Sequence, residues 1–494
     1  MAADRKEIRP AGAIVSLLLL WGSPAWGLFA AAGKVDITPD LAQQSVYLAG
    51  FGAKGRKPKG VHDPIYAHIL LLKDGPRTVG LVSFDLLGFS RNDVKDLRRL
   101  AGFDAPNRYL FVAVTHNHSG PDTMGLWGPW PGASGVNRAW LGALKKTVAE
   151  ALRGLEGQLE DASLTGWQGA LDPKGLCRDI RDPVVIDPDL TVLGLKGKDG
   201  RAIATVVNWS CHPEVLGKEN RLITADFPGA LCAKIERDTG GSCLFLNGPI
   251  GGLLTPDTVK GRSSWLETIR IGETVAAAAL RGLAKARAGH AELDFHSSVV
   301  RVPVENSRYL LFLPALTAGH KLFDAAGHAL PNWKAYGLAF QQALRILSPE
   351  HRPWVETEIS VVDVGPARLL GMPGEVFPEL VIGGYDGRFR FGHPLVKPDN
   401  PDPPDLSRAP KPPFLRDLAH RPAPMFVGMA NDELGYILPE YDFKVRLNLK
   451  MTPRLPGDHY EETNSVGPTA TGIFLDAAKS LLSGKSSTIQ SHAK

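Results

Sequence analysis

Short apolar runs that alternate with amphipathic helical runs constrain the fold of this chain more than any other feature. Strand-like runs recur from about residue 35, and they include HILLLKDG (68–75), RTVGLVSFDLLG (77–88), RYLFVAV (108–114) and SCLFLNG (242–248). Between them lie segments whose apolar residues recur at helical spacing, namely residues 92–102, 138–155, 227–241 and 264–286. This alternation predicts an α/β or α+β core, in which mixed sheets are covered by helices.

The length of the chain fits one large domain or two domains, and we expect one. Of its 494 residues, 44% are hydrophobic and 22% are charged, which is an ordinary globular composition. We therefore expect a single domain over residues 31–482, followed by a polar, disordered tail over 483–494. The net charge is only +4 and basic runs are short, as in KGRKPK (54–59), so nucleic acid is not indicated. Nothing in the sequence points to an obligate protein partner.

The first thirty residues have the layout of a secretory signal peptide. Basic residues precede an apolar run over 11–20, and a stretch with small residues follows that run. The pattern predicts export to a periplasm or to the extracellular space, with cleavage between Gly27 and Ala32 and a signal peptide of about residues 1–30. The alternative is an uncleaved membrane anchor, although the run is shorter than the roughly 18 apolar residues that a membrane span needs.

The four cysteines, Cys177, Cys211, Cys232 and Cys243, do not have the spacing of a cysteine zinc site. Export would permit disulfides. Buried thiols and one or two disulfide bridges are equally compatible with the sequence.

Two regions depart from the alternation of strands and helices. Residues 306–347 are apolar, carry aromatic residues and have helical spacing, which fits a helical insertion, a lid over an apolar pocket, or plain core packing. Residues 397–424 are dense in proline and cannot form a regular helix or a central strand. We expect the second region to be a surface excursion.

The segment THNHSGP (115–121) directly follows the strand-like run RYLFVAV. In an extended strand, residues i and i+2 point to the same side, so His116 and His118 can address one point. They also lie at the carboxyl end of the run, where open α/β sheets place their ligands. By itself the motif is compatible both with metal ligands and with ordinary turn histidines.

Three further strand-like runs end near a side chain that can bind a metal. His212 lies in NWSCHPE, Glu375 in LLGMPGEVFPEL and Tyr436 in ANDELGYILPE. Each also has an ordinary structural explanation, which for Glu375 is a favourable place at a helix N-terminus. Together with His116 they would supply the nitrogen and oxygen ligands that suit Zn²⁺. The phenol is the least expected ligand, because the metal must lower a pKa of about 10.

The order of these motifs resembles the N-terminal catalytic domain of the neutral/alkaline, non-lysosomal ceramidase family. The matching segments span roughly residues 35–480, and the combination of THNHSGP, TADFPGAL, GMPGEVFPEL and ANDELGYILPE is specific. The resemblance implies a zinc site at strand ends whose ligands are His116, His212, Glu375 and Tyr436. It also implies that His118 lies beside the metal as a hydrogen-bonding group. An arginine of the family matches Arg178 in LCRDI, with Arg181 as a rival for the alignment.

The sequence departs from the family pattern in two places. The family has a GDxSP-like segment whose serine lines the site, whereas this chain has NGPIGGLLTPD (247–257) without a serine. Thr255 is the nearest hydroxyl group there. We also expect no counterpart of the β-sandwich that follows the catalytic domain in the family. Both departures weaken ceramide as the specific substrate and leave the metal ligands intact.

From the metal alone, we expect a zinc-activated water to attack an amide or ester carbonyl. His118 and Tyr436 would stabilise the oxyanion, Arg178 would orient the substrate, and Thr255 is a candidate for the role of the family's serine. The leading expectation is a secreted zinc amidase that acts on a lipid-like substrate, hydrolysing ceramide to a fatty acid and a sphingoid base. The alternatives are a zinc hydrolase of the same fold for another amide or ester, and an exported binding protein without activity.

A lipid substrate would also require transient contact with a membrane surface, for which residues 306–347 are a candidate. We expect His62 and Asp63 to shape the entrance of the site or to orient its ligands, or else simply to form a turn. Asp85 and Asp226 are candidates for carboxylates that fix the tautomers of the histidines, although Asp226 would also suit a helix N-cap.

Overall fold

The structure is a computed structural model, and it describes residues 27–261, 264–445 and 459–484. Most of the predicted signal peptide and of the predicted tail lies outside the described residues. The strands are β1 Phe29–Asp36, β2 Gly60–Val61, β3 Tyr66–Asp74, β4 Arg77–Phe84, β5 Arg108–Val114, β6 Glu160–Ala170, β7 Cys177–Asp179, β8 Asp189–Gly197, β9 Ala202–Trp209, β10 Leu222–Ile223, β11 Ser242–Asn247, β12 Leu254–Pro256, β13 Arg287–Gly289, β14 Leu293–Pro303, β15 Leu322–Phe323, β16 Ala329–Leu330, β17 Trp354–Val364, β18 Ala367–Gly371, β19 Glu375–Val376, β20 Ala423–Val427 and β21 Tyr436–Ile437.

The helices are α1 Arg91–Ala101, α2 Arg138–Glu156, α3 Asp226–Thr239, α4 Trp265–Leu283, α5 Leu313–Leu316, α6 Asn332–Ala343, α7 Pro378–Ile382, α8 Leu415–Leu418 and α9 Pro468–Leu482. The four helices predicted between residues 92 and 286 are α1 to α4, with ends that differ by a few residues. Local capping explains several ends. For example, Ser90 accepts a hydrogen bond from the amide of Asp93 at the start of α1, and Gly102 ends that helix in a left-handed conformation.

Two mixed sheets form the centre of the protein, as the alternating pattern predicted. In the first sheet the strand order is β11-β9-β8-β6-β1-β3-β4-β5, with β13 paired to β6. The second sheet has the order β16-β15-β17-β18-β20, with β14 paired to β17. Within them, β4 and β5, β9 and β11, and β18 and β20 are parallel pairs. The fold class expected from the sequence is therefore confirmed.

The two sheets pack face to face and are covered by helices on their outer sides. Apolar side chains of β3, β4 and β5 share one buried cluster with those of β17, β18 and β20. A second cluster joins the other face of the first sheet to α1–α4, and a third joins the second sheet to α9 and its neighbours. Because β3 and β5 are covered on both faces, their sequences are almost continuously apolar rather than alternating.

The first sheet is strongly curled, and this curl positions the candidate site. Its edge strands β5 and β11 lie at opposite ends of the strand order, yet their ends approach each other. Asn247 at the end of β11 donates a hydrogen bond from Nδ2 to the carbonyl of Thr115, at 2.8 Å. The carboxyl ends of β5 and β9 consequently meet near one point.

Residues 306–347 are less helical than their spacing predicted. Only a 3-10 turn at Tyr309–Phe312, the short α5, and α6 are helical, whereas β15 and β16 form a hairpin that extends the second sheet. The prediction failed between residues 317 and 331 because Gly327 adopts a left-handed φ of 88° in a turn that closes this hairpin. In the proline-dense region 397–424, a 3-10 turn and α8 precede β20.

The four cysteines are buried free thiols in the structure. They lie as two neighbouring pairs: burial and the adjacent Cys177 raise the pKa of Cys211 well above its ordinary value, and burial and Cys243 do the same for Cys232. The sequence was compatible with buried thiols or with disulfide bridges, and the structure contains buried thiols.

Within the described residues, no helix is long and apolar enough to cross a bilayer. The first strand bears on the predicted cleavage window. β1 begins at Phe29, and Leu28 and Ala30 are buried in the core between the sheets. The window from Gly27 to Ala32 therefore overlaps the first residues of a core strand.

Candidate metal centre and substrate pocket

Two histidines follow the carboxyl ends of strands in the first sheet. His116 comes just after β5 and His212 just after β9, and their ring centroids are 5.1 Å apart. The backbone of His116 has a φ of 68°, a left-handed conformation that is costly for a residue other than glycine. The amides of Thr115 and Asn117 anchor this turn to the end of β4 and to the loop that follows it. The strain is therefore held in place by the sheet.

Backbone carbonyls fix the rings of both histidines. Nδ1 of His116 lies 2.9 Å from the carbonyl oxygen of Leu87, and Nδ1 of His212 lies 2.8 Å from that of Leu254. A carbonyl oxygen can only accept, so Nδ1 carries the proton in both rings. In the neutral tautomer, each Nε2 then presents a lone pair. This is the arrangement in which a histidine binds a metal through Nε2.

The second sheet brings a carboxylate to these two nitrogens. Glu375 follows β18 in the short strand β19, and its Oε2 lies 3.0 Å from Nε2 of His212 and 3.5 Å from Nε2 of His116. Burial alone would raise the pKa of Glu375, but the charge of His116 and the hydrogen bond of His212 lower it overall. The carboxylate is therefore ionised in this buried place.

The two histidines respond differently to the same carboxylate. Burial lowers the pKa of His116 to about 4, although the charge of Glu375 opposes the shift. Burial also acts against protonation of His212, but its hydrogen bond with Glu375 raises its pKa overall. One proton is thus held between His212 and Glu375 when no other cation is present.

These groups have the chemistry of a divalent metal site. An anionic carboxylate that faces two imidazole lone pairs is unfavourable unless a proton or a cation lies between them. Two imidazole nitrogens and a carboxylate oxygen are a ligand set that Zn²⁺ takes readily. The residues therefore fit the predicted metal, with His116, His212 and Glu375 placed to hold it.

His118 completes a group of three buried imidazoles. Its ring centroid is 5.1 Å from that of His116 and 5.6 Å from that of His212, and each ring offers a nitrogen within 4.8 Å of the others. Neither ring nitrogen of His118 has a hydrogen-bond partner among the described residues, although the side chain is buried. Such a group is costly unless a ligand satisfies it. Burial and the adjacent imidazoles lower the pKa of His118 well below its ordinary value, so the ring is neutral.

Tyr436 lies beside Glu375, because β19 and β21 pair in parallel with these two residues in register. Its hydroxyl is 3.1 Å from the hydroxyl of Tyr460. Burial and the charge of Glu375 raise the pKa of Tyr436 well above its ordinary value. Tyr436 is therefore a neutral phenol in the structure, and its two predicted roles, metal ligand and oxyanion donor, stay predictions.

Thr255 and Arg178 are neighbours on the paired strands β12 and β7. The hydroxyl of Thr255 donates to Oε1 of Glu214 at 2.7 Å, and Oε2 of Glu214 lies 3.5 Å from Nδ1 of His118. Thr255 thus reaches the imidazole group only through Glu214, to which the sequence analysis gave no role. Arg178 is exposed, and its positive charge acts on Glu214.

Arg181, the rival of Arg178, is buried in an ion-pair network away from the imidazoles. Its guanidinium contacts the carboxylates of Asp442, Glu461 and Glu462 at 2.8 to 2.9 Å. Both terminal nitrogens of this guanidinium are bonded in the network, whereas the charge of Arg178 acts on Glu214, so the geometry favours Arg178 as the arginine on the Glu214 side of the site.

Other residues named from the sequence lie further from the rings. Asp85 accepts from the amide of Tyr66, and Asp226 accepts from the amide of Phe227 at the start of α3. The prediction that these carboxylates fix the histidine tautomers is wrong, because the carbonyls of two leucines already occupy both Nδ1 atoms. His62 stacks on Trp265 at α4, and it lies outside the pocket lining.

Asp63 also has a structural role. Its carboxylate accepts from Nδ1 of His62 at 2.6 Å and from the amide of Ala225 at 2.9 Å. It therefore ties the loop after β2 to the residue that precedes α3. Of the two explanations left open for the His62–Asp63 pair, turn formation describes these contacts.

Two residues that hold the site together were missed by the sequence analysis. Asn247 bonds through Nδ2 to the carbonyls of Thr115 and Cys211, at 2.8 and 2.9 Å, so it joins the segments that carry His116 and His212. Arg56 donates to the carbonyl of His118 and to those of Ala49 and Asn220. Arg56 lies in the short basic run KGRKPK, which predicted no role in the site. Asn247 lies at the start of NGPIGG, the segment that lacks the family's serine.

A pocket leads to the imidazole group and has mostly apolar walls. His116, His118, Glu375 and Tyr436 line it together with apolar and aromatic side chains, which include Leu87, Met124, Leu126, Trp127, Tyr309 and Leu316. Tyr309 and Leu316 come from the segment 306–347, so this segment forms part of the wall. Further polar side chains also line it, among them His320, Glu433 and Asn464. A pocket that combines apolar walls with convergent polar groups suits a small molecule with a hydrocarbon part and a polar part.

The fold is similar to that of solved ceramidase structures. The crystal structure of neutral ceramidase from Pseudomonas aeruginosa matches with a TM-score of 0.67 over 95% of this chain and 76% of that chain, at 18% sequence identity. A structure described as ceramidase complexed with C2 matches with a TM-score of 0.64 over 94% of this chain and 77% of that chain, at 17% identity. No family model matches the sequence, and no curated protein matches it significantly. The resemblance inferred from the motifs is therefore confirmed at the level of the fold.

Proposed function

We propose that this protein is a zinc-dependent amidohydrolase of the neutral ceramidase type, which hydrolyses the amide bond of an N-acyl sphingoid lipid. The observation that carries the proposal is the convergence of His116, His212 and Glu375 beside a pocket with mostly apolar walls, which His116, His118 and Glu375 line. The shared fold with ceramidase structures supports the same reaction class. A sphingoid lipid has both the amide and the hydrocarbon chains that this pocket would take.

The residues of the site would divide the chemistry among them. His116, His212 and Glu375 would hold Zn²⁺, which when bound supplies a Lewis acid and an activated water for attack on the amide carbonyl. The neutral ring of His118 can donate one hydrogen bond to the oxyanion that forms on the carbonyl oxygen. Tyr436 could donate a second, since its phenol is un-ionised and directed beside Glu375. The apolar walls would exclude water and align the acyl chain.

A second candidate function is a zinc hydrolase of the same fold that acts on a different amide or ester. It is favoured by the absence of the family's serine and by the bonding of Thr255, whose hydroxyl donates to Glu214 rather than towards the pocket. A smaller or more polar acyl compound would place fewer demands on that part of the site.

We also propose that the chain is exported. The position of β1 refines the expected cleavage, because removal of residues up to Ala32 would delete part of a core strand. Cleavage at the start of the window, before Phe29, would keep β1 whole. N-terminal sequencing of the mature protein would check this, and a mature start at Gly33 would contradict it.

The test of the proposed function is release of labelled fatty acid from an N-acylsphingosine by the zinc-loaded protein. We expect hydrolysis that a chelator abolishes and that His116→Ala reduces beyond detection, with zinc content measured by mass spectrometry falling in parallel. Loss of a ligand should cost more than the roughly 10- to 100-fold that loss of an outer partner costs. His328→Ala, which removes a histidine that is exposed on the β15–β16 hairpin, is the matched control.

The outcomes separate the candidates. No release by zinc-loaded protein would contradict ceramide hydrolysis. Hydrolysis of simple amides or esters alone would favour the second candidate. Zinc binding without hydrolysis of any of these substrates would indicate a binding protein.

A further inference from the structure

Helix α6 presents its large apolar side chains to solvent. Trp333, Tyr336 and Phe340 are 69%, 65% and 65% exposed, and Leu344 and Ile346 just beyond the helix are 54% and 66% exposed. We call these five residues the α6 face. They are the reverse of the usual arrangement, in which a surface helix turns its apolar stripe towards the core.

The helical geometry places these side chains on one side. At about 100° per residue, positions 333, 336, 340 and 344 fall within an arc of roughly 80°. The small Ala335 lies on the opposite side and is fully buried, and Leu338 packs against the second sheet's core. The helix therefore packs against the protein through Ala335 and Leu338, while the α6 face on its other side is exposed to solvent.

The charged residues in the segment that carries the α6 face are both basic. From Gly327 to Ser348 the sequence contains Lys334 and Arg345 but neither aspartate nor glutamate. Both basic residues are exposed. An amphipathic helix with aromatic residues on one side and basic residues beside them is the pattern of segments that lie in the interface of an anionic bilayer.

The α6 face is also continuous with the wall of the pocket. Helix α6 packs against α5 and against the 3-10 turn Tyr309–Phe312. Tyr309 and Leu316, from that turn and from α5, line the pocket that holds the imidazole group. The helix that carries the α6 face therefore packs directly against the segment that forms part of the pocket wall.

We propose that the α6 face is a docking surface for an anionic lipid bilayer. The aromatic side chains would enter the interfacial region, and Lys334 and Arg345 would contact the phosphate groups of the lipids. A bilayer is favoured over a protein partner by the exposed Lys334 and Arg345 beside the aromatic residues and by the packing of α6 against a wall of the pocket. The inference deepens the proposed function and rests on it for the need to meet a lipid surface, but the docking is measured without hydrolysis.

The test is co-sedimentation of the full chain with vesicles of phosphatidylcholine, with and without phosphatidylglycerol. We expect binding that is stronger to the vesicles with phosphatidylglycerol. A triple variant, Trp333→Gln, Tyr336→Gln and Phe340→Gln, should weaken binding by about tenfold or more, since binding scales with the apolar area that enters the interface. Lys334→Glu with Arg345→Glu should weaken binding to the anionic vesicles and leave the weaker binding to phosphatidylcholine unchanged.

The matched control is Leu266→Gln with Ile269→Gln, which removes two exposed apolar side chains from α4 on the helical layer of the first sheet. This variant should bind vesicles like the unaltered chain. The triple variant should also keep its activity on a water-soluble, short-chain N-acyl amide, which shows that the fold and the site are intact.

Three results would overturn the docking surface. They are absence of vesicle binding by the unaltered chain, unchanged binding by the triple variant, and a dimer in sedimentation analysis that the triple variant dissolves without vesicles. The last would assign the α6 face to a second copy of the chain. Vesicle binding that depends on the α6 face in a protein that hydrolyses no N-acylsphingosine would leave the docking surface standing and would refute the proposed activity instead.

Discussion

The two sheets contribute unlike groups to the candidate metal centre. The first sheet supplies imidazoles, and backbone carbonyl groups orient those of His116 and His212. The second sheet supplies Glu375 and Tyr436 from adjacent short strands. The charge state of Glu375 depends on the first sheet, because the pKa of this buried carboxyl is lowered by the two histidines across the interface.

This difference shows that neither sheet alone provides a complete metal site. The imidazoles are pre-oriented without the second sheet, but they lack an anion to balance a divalent cation. The carboxylate alone would be a buried charge with a raised pKa. Packing of the two sheets brings the carboxylate to the imidazoles. Metal binding and activity should therefore be most sensitive to substitutions that separate these two groups.

Among the substitutions that test this comparison of the two sheets, the largest expected loss of activity comes from removing the phenol of Tyr436 in the second sheet. Tyr436→Phe should lower kcat by roughly 100- to 1,000-fold if its hydroxyl donates to the oxyanion. If Tyr436 is instead a metal ligand, zinc content should fall together with kcat. Tyr460→Phe, which removes only the hydroxyl that contacts Tyr436, is the control and should have a much smaller effect. Full activity in Tyr436→Phe would show that the second sheet contributes only Glu375.

An intermediate effect is expected from the first sheet. Asn247→Ala removes the amide that joins the segments of His116 and His212, so the rings lose their common support. We expect zinc affinity to fall by about 10- to 100-fold, as for other partners that orient ligands. Competition with a chelator of known affinity measures this change. Unaltered zinc affinity would mean that the carbonyls of Leu87 and Leu254 alone hold the rings.

The smallest effect concerns stability and contrasts two neighbouring glutamates, Glu375 in β19 and Glu379 in α7. Histidines of the first sheet lower the pKa of Glu375, whereas burial raises that of Glu379 to about 8 despite the charge of Arg181. Within the part of the chain that the structure describes, one oxygen of Glu379 also has no hydrogen-bond partner. Since the folded-state pKa lies above the unfolded value, Glu379 costs stability as pH rises from about 4.3 to about 8.

We therefore expect Glu379→Gln to raise the free energy of unfolding at pH 7.5 by roughly 1–3 kcal/mol. The gain should vanish near pH 4, where the glutamate is protonated in both states. Urea titrations of both chains at the two pH values measure it. A loss of stability at pH 7.5 would indicate that Arg181 requires the charge of Glu379.

Much of the fold could be predicted from the sequence because its signals are local. The run 108–114 is β5, and the helices α1 to α4 appear where the spacing placed them, since the periods of strand and helix are properties of neighbouring residues. The same logic identified His116, His118 and His212 as side chains at strand ends. The spacing over 306–347 predicted helix but could not reveal which side α6 turns to solvent, because that depends on what covers it.

What only the tertiary structure decided are contacts between residues far apart in the chain. Asn247 reaches the carbonyl of Thr115 because the first sheet curls until its edges approach. Glu214 joins Thr255 to His118 for the same reason. A polar side chain in a loop carries no periodic signal, and its partner is set by how the sheets twist and pack. The sequence determined which side chains stand at the strand ends, and the curl and packing of the two sheets determined that they meet at one point.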